Sequence, residues 1–180
     1  MLVRNLTLHL GRALCAAALA ASLGSAARAG DPVFPPGSRF GFDPPSDMSL
    51  SRRFSGFERK EGGATLSVVE LPPNAFAELV SGFTDANLLS QGFAVEKREE
   101  VKIGDNEGML YTGEQPADPN ASTPAIRKWI LVVGAPTVTG LIIAQALPDA
   151  ETEETMRKMV TGVAVRPALS LTQQVDALPF

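Results

Sequence analysis

The chain has one cysteine, one histidine, one tryptophan and one tyrosine in 180 residues. The first two, Cys15 and His9, lie in an N-terminal stretch with the form of a removable leader, so the mature protein is expected to contain neither. That excludes a Ser-His-Asp triad, a cysteine nucleophile, thiolate or histidine metal sites, iron-sulfur clusters and histidine-ligated haem. It also excludes disulfides, and an exported domain of this size must then rest on its core. Phosphate-cradling motifs are missing as well, because Gly104, Gly108 and Gly113 fit no G-x-G-x-x-G or P-loop spacing.

The leader reads MLVRNLTLHLGRALCAAALAASLGSAARAG: Arg4 and Arg12, an apolar run from Ala13 to Leu23, then Ala27-Arg28-Ala29. This is the n-region, h-region and A-x-A order of a secretory signal peptide, with cleavage expected after Ala29 and a periplasmic or secreted product. The run is short of the roughly 20 residues that span a bilayer, so no stable membrane insertion of the mature chain is expected. Arg12 stands three residues before Cys15, where a lipidation site wants an aliphatic residue. Of 16 basic residues the leader takes three and no acid, which leaves 13 against 20 acidic ones and a net charge of −7. Such a balance argues against nucleic acid as a partner.

After a Pro- and Gly-rich lead-in, residues 30–37, one domain is expected over 38–167, followed by an extension of uncertain structure, 168–180. The centre is Arg127 to Leu147, two apolar, β-branched runs joined at Gly134-Ala135-Pro136-Thr137. Trp129, Leu131 and Val133 point one way and Ile130 and Val132 the other. Leu141 and Ile143 alternate in the same way with Ile142, Ala144 and Ala146, so both faces need covering. Further strands are expected at Phe40 to Phe42, Ser51 to Glu58, Ala64 to Leu71, Phe93 to Val101 and Met109 to Gln115. Helices are expected from Asn74, as N-cap, to about Ser90, and from the acid-rich segment after Pro148 to near Gly162–Arg166. Phe76, Leu79, Val80 and Phe83 form one i, i+3, i+4, i+7 stripe, and Met156, Met159, Val160 and Val163 form another. The fold class expected is α+β, an antiparallel sheet of about six strands covered by helices on both faces, an α/β/α sandwich.

Chemistry is harder to place. Trp129 and Tyr111 would suit a pocket, but on central strands they serve the core. General acid or base candidates are carboxylates alone, Glu70, Glu96, Glu99, Glu100, Glu107 and Glu114, and adjacent Glu99 and Glu100 face opposite sides of a strand unless a bulge intervenes. No spacing demands a hydrolase, no cofactor is expected, and the chain reads as a non-enzyme. Asp149, Glu151, Glu153 and Glu154 suit a helix N-terminus better than a hard-cation site. A possible interaction surface is placed at the ends of the central strands, at Arg127, Lys128, Asp118 and Asn120.

The segments FGFDPP (Phe40 to Pro45), FSGFE (Phe54 to Glu58) and SVVELPPNAF (Ser67 to Phe76), with a helix, a four-strand meander and a C-terminal helix, resemble the PsbP-like and DcrB-like domains. That fold is shared by the extrinsic protein of photosystem II and a Ran-binding nuclear import factor. The resemblance spans roughly Ser38 to Pro167. It implies an antiparallel sheet between helices and a non-catalytic accessory or adaptor role. It carries over no functional residue, because the histidine that some plant members offer to metals has no counterpart in the mature chain. The function expected is an exported accessory or protein-interaction domain of a bacterial envelope, with a protein partner. The alternative is a periplasmic small-molecule or cation-binding protein, and a carboxylate-based hydrolase comes third.

Overall fold

Paired strands build most of the molecule, seen here in a computed structural model that describes residues 31–116, 124–148 and 150–168. In chain order the elements are β1 (Phe40–Gly41), β2 (Met48–Leu50), β3 (Gly56–Arg59), β4 (Ala64–Leu71), α1 (Ala75–Gly82), α2 (Asp85–Ser90), β5 (Ala94–Ile103), β6 (Asn106–Gln115), β7 (Ile126–Ala135), β8 (Val138–Ala146), α3 (Glu153–Thr161) and β9 (Ala164–Val165). A seven-stranded sheet runs in the order β2-β3-β4-β8-β7-β6-β5, and β1 pairs with β9 in a separate two-stranded ribbon. All pairings are antiparallel, so the fold is α+β. The leader, the Pro116–Pro124 loop beyond its ends, Asp149 and the chain after Ala168 lie outside the described residues.

The expected count of about six strands is too low. Where one strand from Ser51 to Glu58 was expected, the chain reverses: Ser51 N–H donates to the Gly56 carbonyl and the Ser51 hydroxyl accepts from Arg53 N–H. Polar Ser51 and Ser55 favour such local bonds over a ladder, and β2 pairs back on β3. The short ribbon was not expected at all beyond its β1 half, since its partner β9 follows the last helix.

The helix expected from Asn74 to Ser90 is two helices. Gly82 is a poor helix former, and Thr84 just beyond it takes an extended conformation and accepts from Asn87 N–H, which starts α2 afresh. Asn74 precedes α1 but makes no side-chain capping bond. Helix α3 has its cap in Thr152, whose hydroxyl accepts from Thr155 N–H. Glu153 and Glu154 occupy its first turn and Lys158 its last, each favourable to the helix dipole.

Strand parity decides which side chains share a core. Trp129, Leu131 and Val133 pack with Leu66, Ile142, Ala144, Phe40 and Phe57, and with Met156, Met159 and Val160 of α3. Ile130 and Val132 join Tyr111, Leu88 and Phe93 instead, with Phe76, Leu79, Val80 and Phe83 packed against them. Each fully buried Leu, Ile or Phe contributes about 1.5–3 kcal/mol, which is where a disulfide-free domain finds its stability.

Strand β5 ends the sheet, and its outer edge has no neighbour among the described residues. Its run of Glu96, Lys97, Arg98, Glu99, Glu100 and Lys102 is a charged edge of the kind that blocks strand addition. A register shift between Val95 and Lys97 places Glu96 outside the ladder and breaks the edge further.

Candidate functional site

Arg127 and Lys128 are neighbours on β7, and a strand must send neighbours to opposite faces. Arg127 bonds Glu96 at 2.6 Å and reaches Glu153 of α3 at 3.4 Å. Burial works against its charge, but the two carboxylates outweigh that and hold its pKa above the ordinary value. Lys128 lies on the other face, paired in register with Gly113 and Gln145. No carboxylate among the described residues is within ion-pair distance of it. Burial alone pushes its ammonium below the ordinary lysine pKa. The two cations therefore do not converge, and Asp118 and Asn120 fall outside the described residues.

Most of the carboxylates singled out from the sequence are engaged in the scaffold. Glu70 accepts from the Arg39 backbone N–H at 2.5 Å, from Arg39 Nε at 2.8 Å and from the Ser38 hydroxyl at 3.1 Å. Glu99 takes both terminal nitrogens of Arg157 and pairs with Lys97 at 2.9 Å. Arg157 first, then Lys97, holds its carboxyl below the usual range, the wrong direction for a general acid at neutral pH. Glu151 pairs with Arg59 at 2.9 Å, beside Asp47 at 2.5 Å, and Arg59 also reaches the Ala150 carbonyl. Tyr111 and Trp129 are both core residues; burial raises the Tyr111 phenol pKa against the opposing charge of Arg98.

Two surface features escaped the sequence. The first is a cleft of about 490 Å³ between α1 and the far end of the β5–β6 hairpin. Phe76, Val80 and Met109 line it, and Glu100, Lys102 and Glu107 carry its charge. Glu100 faces Met109 in register and Lys102 faces Glu107, so the hairpin delivers both pairs to one stretch of surface. Lys102 and Glu107 stand 3.9 Å apart and are largely exposed, a weak pairing. Glu100 has no ion-pair partner among the described residues. The second is a shallow groove on β4 and β8, lined by Thr65, Ser67, Ile143 and Gln145 and flanked by Arg53 and Phe54. Val69 continues this parity of β4 and is 47% exposed. The only hint of either in the sequence was alternation: the polar-apolar pattern of β4 left Ser67 and Val69 off the main core face.

No protein-family model matches the chain, and no curated protein matches it by sequence. Solved structures do match. A crystal structure from Bacteroides thetaiotaomicron aligns with a TM-score of 0.52 at 10% identity, over 73% of this chain and 47% of that one. The chain thus spans less than half the length of that protein, and the likeness is one of fold. LpqN of Mycobacterium tuberculosis, described as involved in cell envelope biogenesis, aligns with a TM-score of 0.49 at 16% identity, over 73% of this chain and 86% of that one. No helix among the described residues is long and apolar enough to cross a membrane.

Proposed function

We propose that the chain is an exported, non-catalytic accessory domain of a bacterial envelope that works by surface contact with a protein partner. The N-terminal charge, apolar run and Ala27-Arg28-Ala29 support export. The observation that carries the contact is the part of the sheet formed by β4 and β8 beyond α1. There Val69 is 47% exposed beside half-buried Ser67 and Ile143, with Phe54 at the margin. This is a mixed surface, one exposed valine and the half-buried Phe54 and Ile143 among polar Thr65, Ser67 and Gln145, and a non-obligate protein contact is no more apolar than that. The family reading, a PsbP-like or DcrB-like three-layer sandwich, is part of this proposal, and the non-catalytic reading is supported by carboxylates held in ion pairs with arginines. Glu70 is held by Arg39, Glu96 by Arg127 and Glu99 by Arg157.

A photo-crosslinking residue at Val69, introduced in the native envelope, tests this. One reproducible partner, lost when Ile143→Arg is added and absent with the crosslinker at Glu61, is the expected result. Labelling that is the same at both positions would overturn the reading.

A second reading, a small-molecule binding protein of the same compartment, is favoured by the cleft between α1 and the β5–β6 hairpin. Its volume falls within the roughly 300–1,000 Å³ of ordinary ligand pockets.

A further inference from the structure

No residue of α1 is fully buried, although Phe76, Leu79 and Val80 point their apolar side chains at the sheet. The helix rests on β7 and β8, and α2 lies over β5, so the end of the β5–β6 hairpin is left as the far wall of an open cleft. The Phe76 ring holds the near wall in place, because it lies directly on Gly134. What remains is an apolar floor of Phe76, Val80 and Met109 with two carboxylates and one ammonium at its edge.

From the small-molecule reading, on which this rests, we infer that the cleft binds an organic cation with an apolar body, such as a primary amine on an alkyl or aryl chain. Charge decides the class. Lys102 offsets Glu107 across 3.9 Å, and Glu100 is left without an ion-pair partner among the described residues, in a chain whose overall charge is −4. An anionic ligand would meet the Glu100 charge, and beside a neutral one Glu100, exposed at the rim, keeps its water and adds nothing, so of the three only an ammonium gains from it. An ammonium satisfies Glu100, while the Phe76 ring and the Met109 thioether accept both its positive charge and its hydrocarbon.

Octylamine, octan-1-ol and octanoate share one apolar body and differ in charge, so titration calorimetry of each against the full chain at pH 7 separates the contributions. The amine is expected to bind about two- to fivefold more tightly than the alcohol, the size of an exposed ion pair, and octanoate most weakly. Glu100→Gln is expected to erase the preference for the amine and leave the affinity for the alcohol unchanged. Val80→Trp, which fills the cleft from a half-buried position, is expected to block all three ligands with the circular dichroism of the fold intact. Equal binding of amine and alcohol, or a preference that survives Glu100→Gln, overturns the cation assignment while the small-molecule reading stands. No binding of any of the three at millimolar concentration overturns both.

Discussion

The ring of Phe76 lies on Gly134 so closely that a Cβ there would sit 2.8 Å from it. On the opposite face of the β7–β8 hairpin, the ring of Phe40 lies 2.5 Å from the corresponding position of Gly140. Each glycine is a seat for an aromatic ring. Gly134→Ala is therefore expected to cost about 1–3 kcal/mol, the usual cost of overpacking. Gly140→Ala should cost more, because Phe40 is fully buried and has nowhere to move. A Cβ at Gly82 meets open space on α1, so Gly82→Ala should be neutral or stabilise by up to about 1 kcal/mol. Urea denaturation of the three variants gives the order directly.

The two candidate helix caps separate in the same experiment. Thr152→Ala removes a hydroxyl that accepts from Thr155 N–H and should cost about 1 kcal/mol. Asn74→Ala removes only an exposed bond to Glu78, so its effect should stay within about 0.5 kcal/mol. A large loss at Asn74 would mean that α1 starts differently in solution.

Thr112 and Trp129 face each other across β6 and β7, are 4% and 1% exposed, and their hydroxyl and indole N–H meet no protein partner among the described residues. Leaving a buried polar group unpaired costs roughly 1–3 kcal/mol, so an apolar group of the same shape removes a penalty. Thr112→Val should leave stability unchanged or raise it by about 1 kcal/mol. Leu131→Ala on the same face should cost about 2–5 kcal/mol. If Thr112→Val destabilises as strongly, its hydroxyl has a partner in solution.

Two titrating groups give pH dependences of opposite origin. Glu99 has its pKa depressed in the folded state by Arg157 and then Lys97. Its contribution is therefore present above the unfolded carboxylate pKa and is lost as pH falls through the folded value. The wild type should lose more stability between neutral pH and pH ~3 than Glu99→Gln does. Lys128 is the reverse case, since burial depresses the pKa of a cation. Its penalty is full at neutral pH and is relieved as pH rises through the folded pKa toward the ordinary lysine value. Lys128→Met should raise stability at pH 7 and flatten the alkaline rise, which denaturant midpoints at pH 7 and pH ~10 would reveal.

Alternation was enough to sort Trp129, Leu131 and Val133 from Ile130 and Val132, and Ile142 from Leu141 and Ile143, because successive side chains of a strand point to opposite faces whatever packs on them. The spacing of Met156, Met159 and Val160 was equally direct. The break after Gly82 was hidden because Phe83 carries the apolar stripe across it, while the decisive bond, Thr84 to Asn87, is local and polar. The pairing of β1 with β9 was invisible to periodicity, which has no reach between distant segments. The cleft was missed for a different reason. It arises where α1 stops short of a hairpin, and no single stretch of residues contains both walls. Arg127 and Lys128 were placed on one surface, although strand parity alone forbids two neighbours from sharing a face.

The ribbon of β1 and β9 is closed by Arg166, whose guanidinium donates to the Ser38 carbonyl at 2.8 and 3.1 Å and whose backbone N–H donates to the Arg39 carbonyl. The hairpins β5–β6 and β7–β8 can form as soon as their own residues are free, since closing a short loop loses little entropy. β1 has to wait for a partner that emerges only after α3. Phe40, which sits on Gly140, is carried by that waiting strand. A nascent chain would thus hold its sheet nearly assembled while one aromatic plug stays loose, and the domain would lock only when β9 arrives.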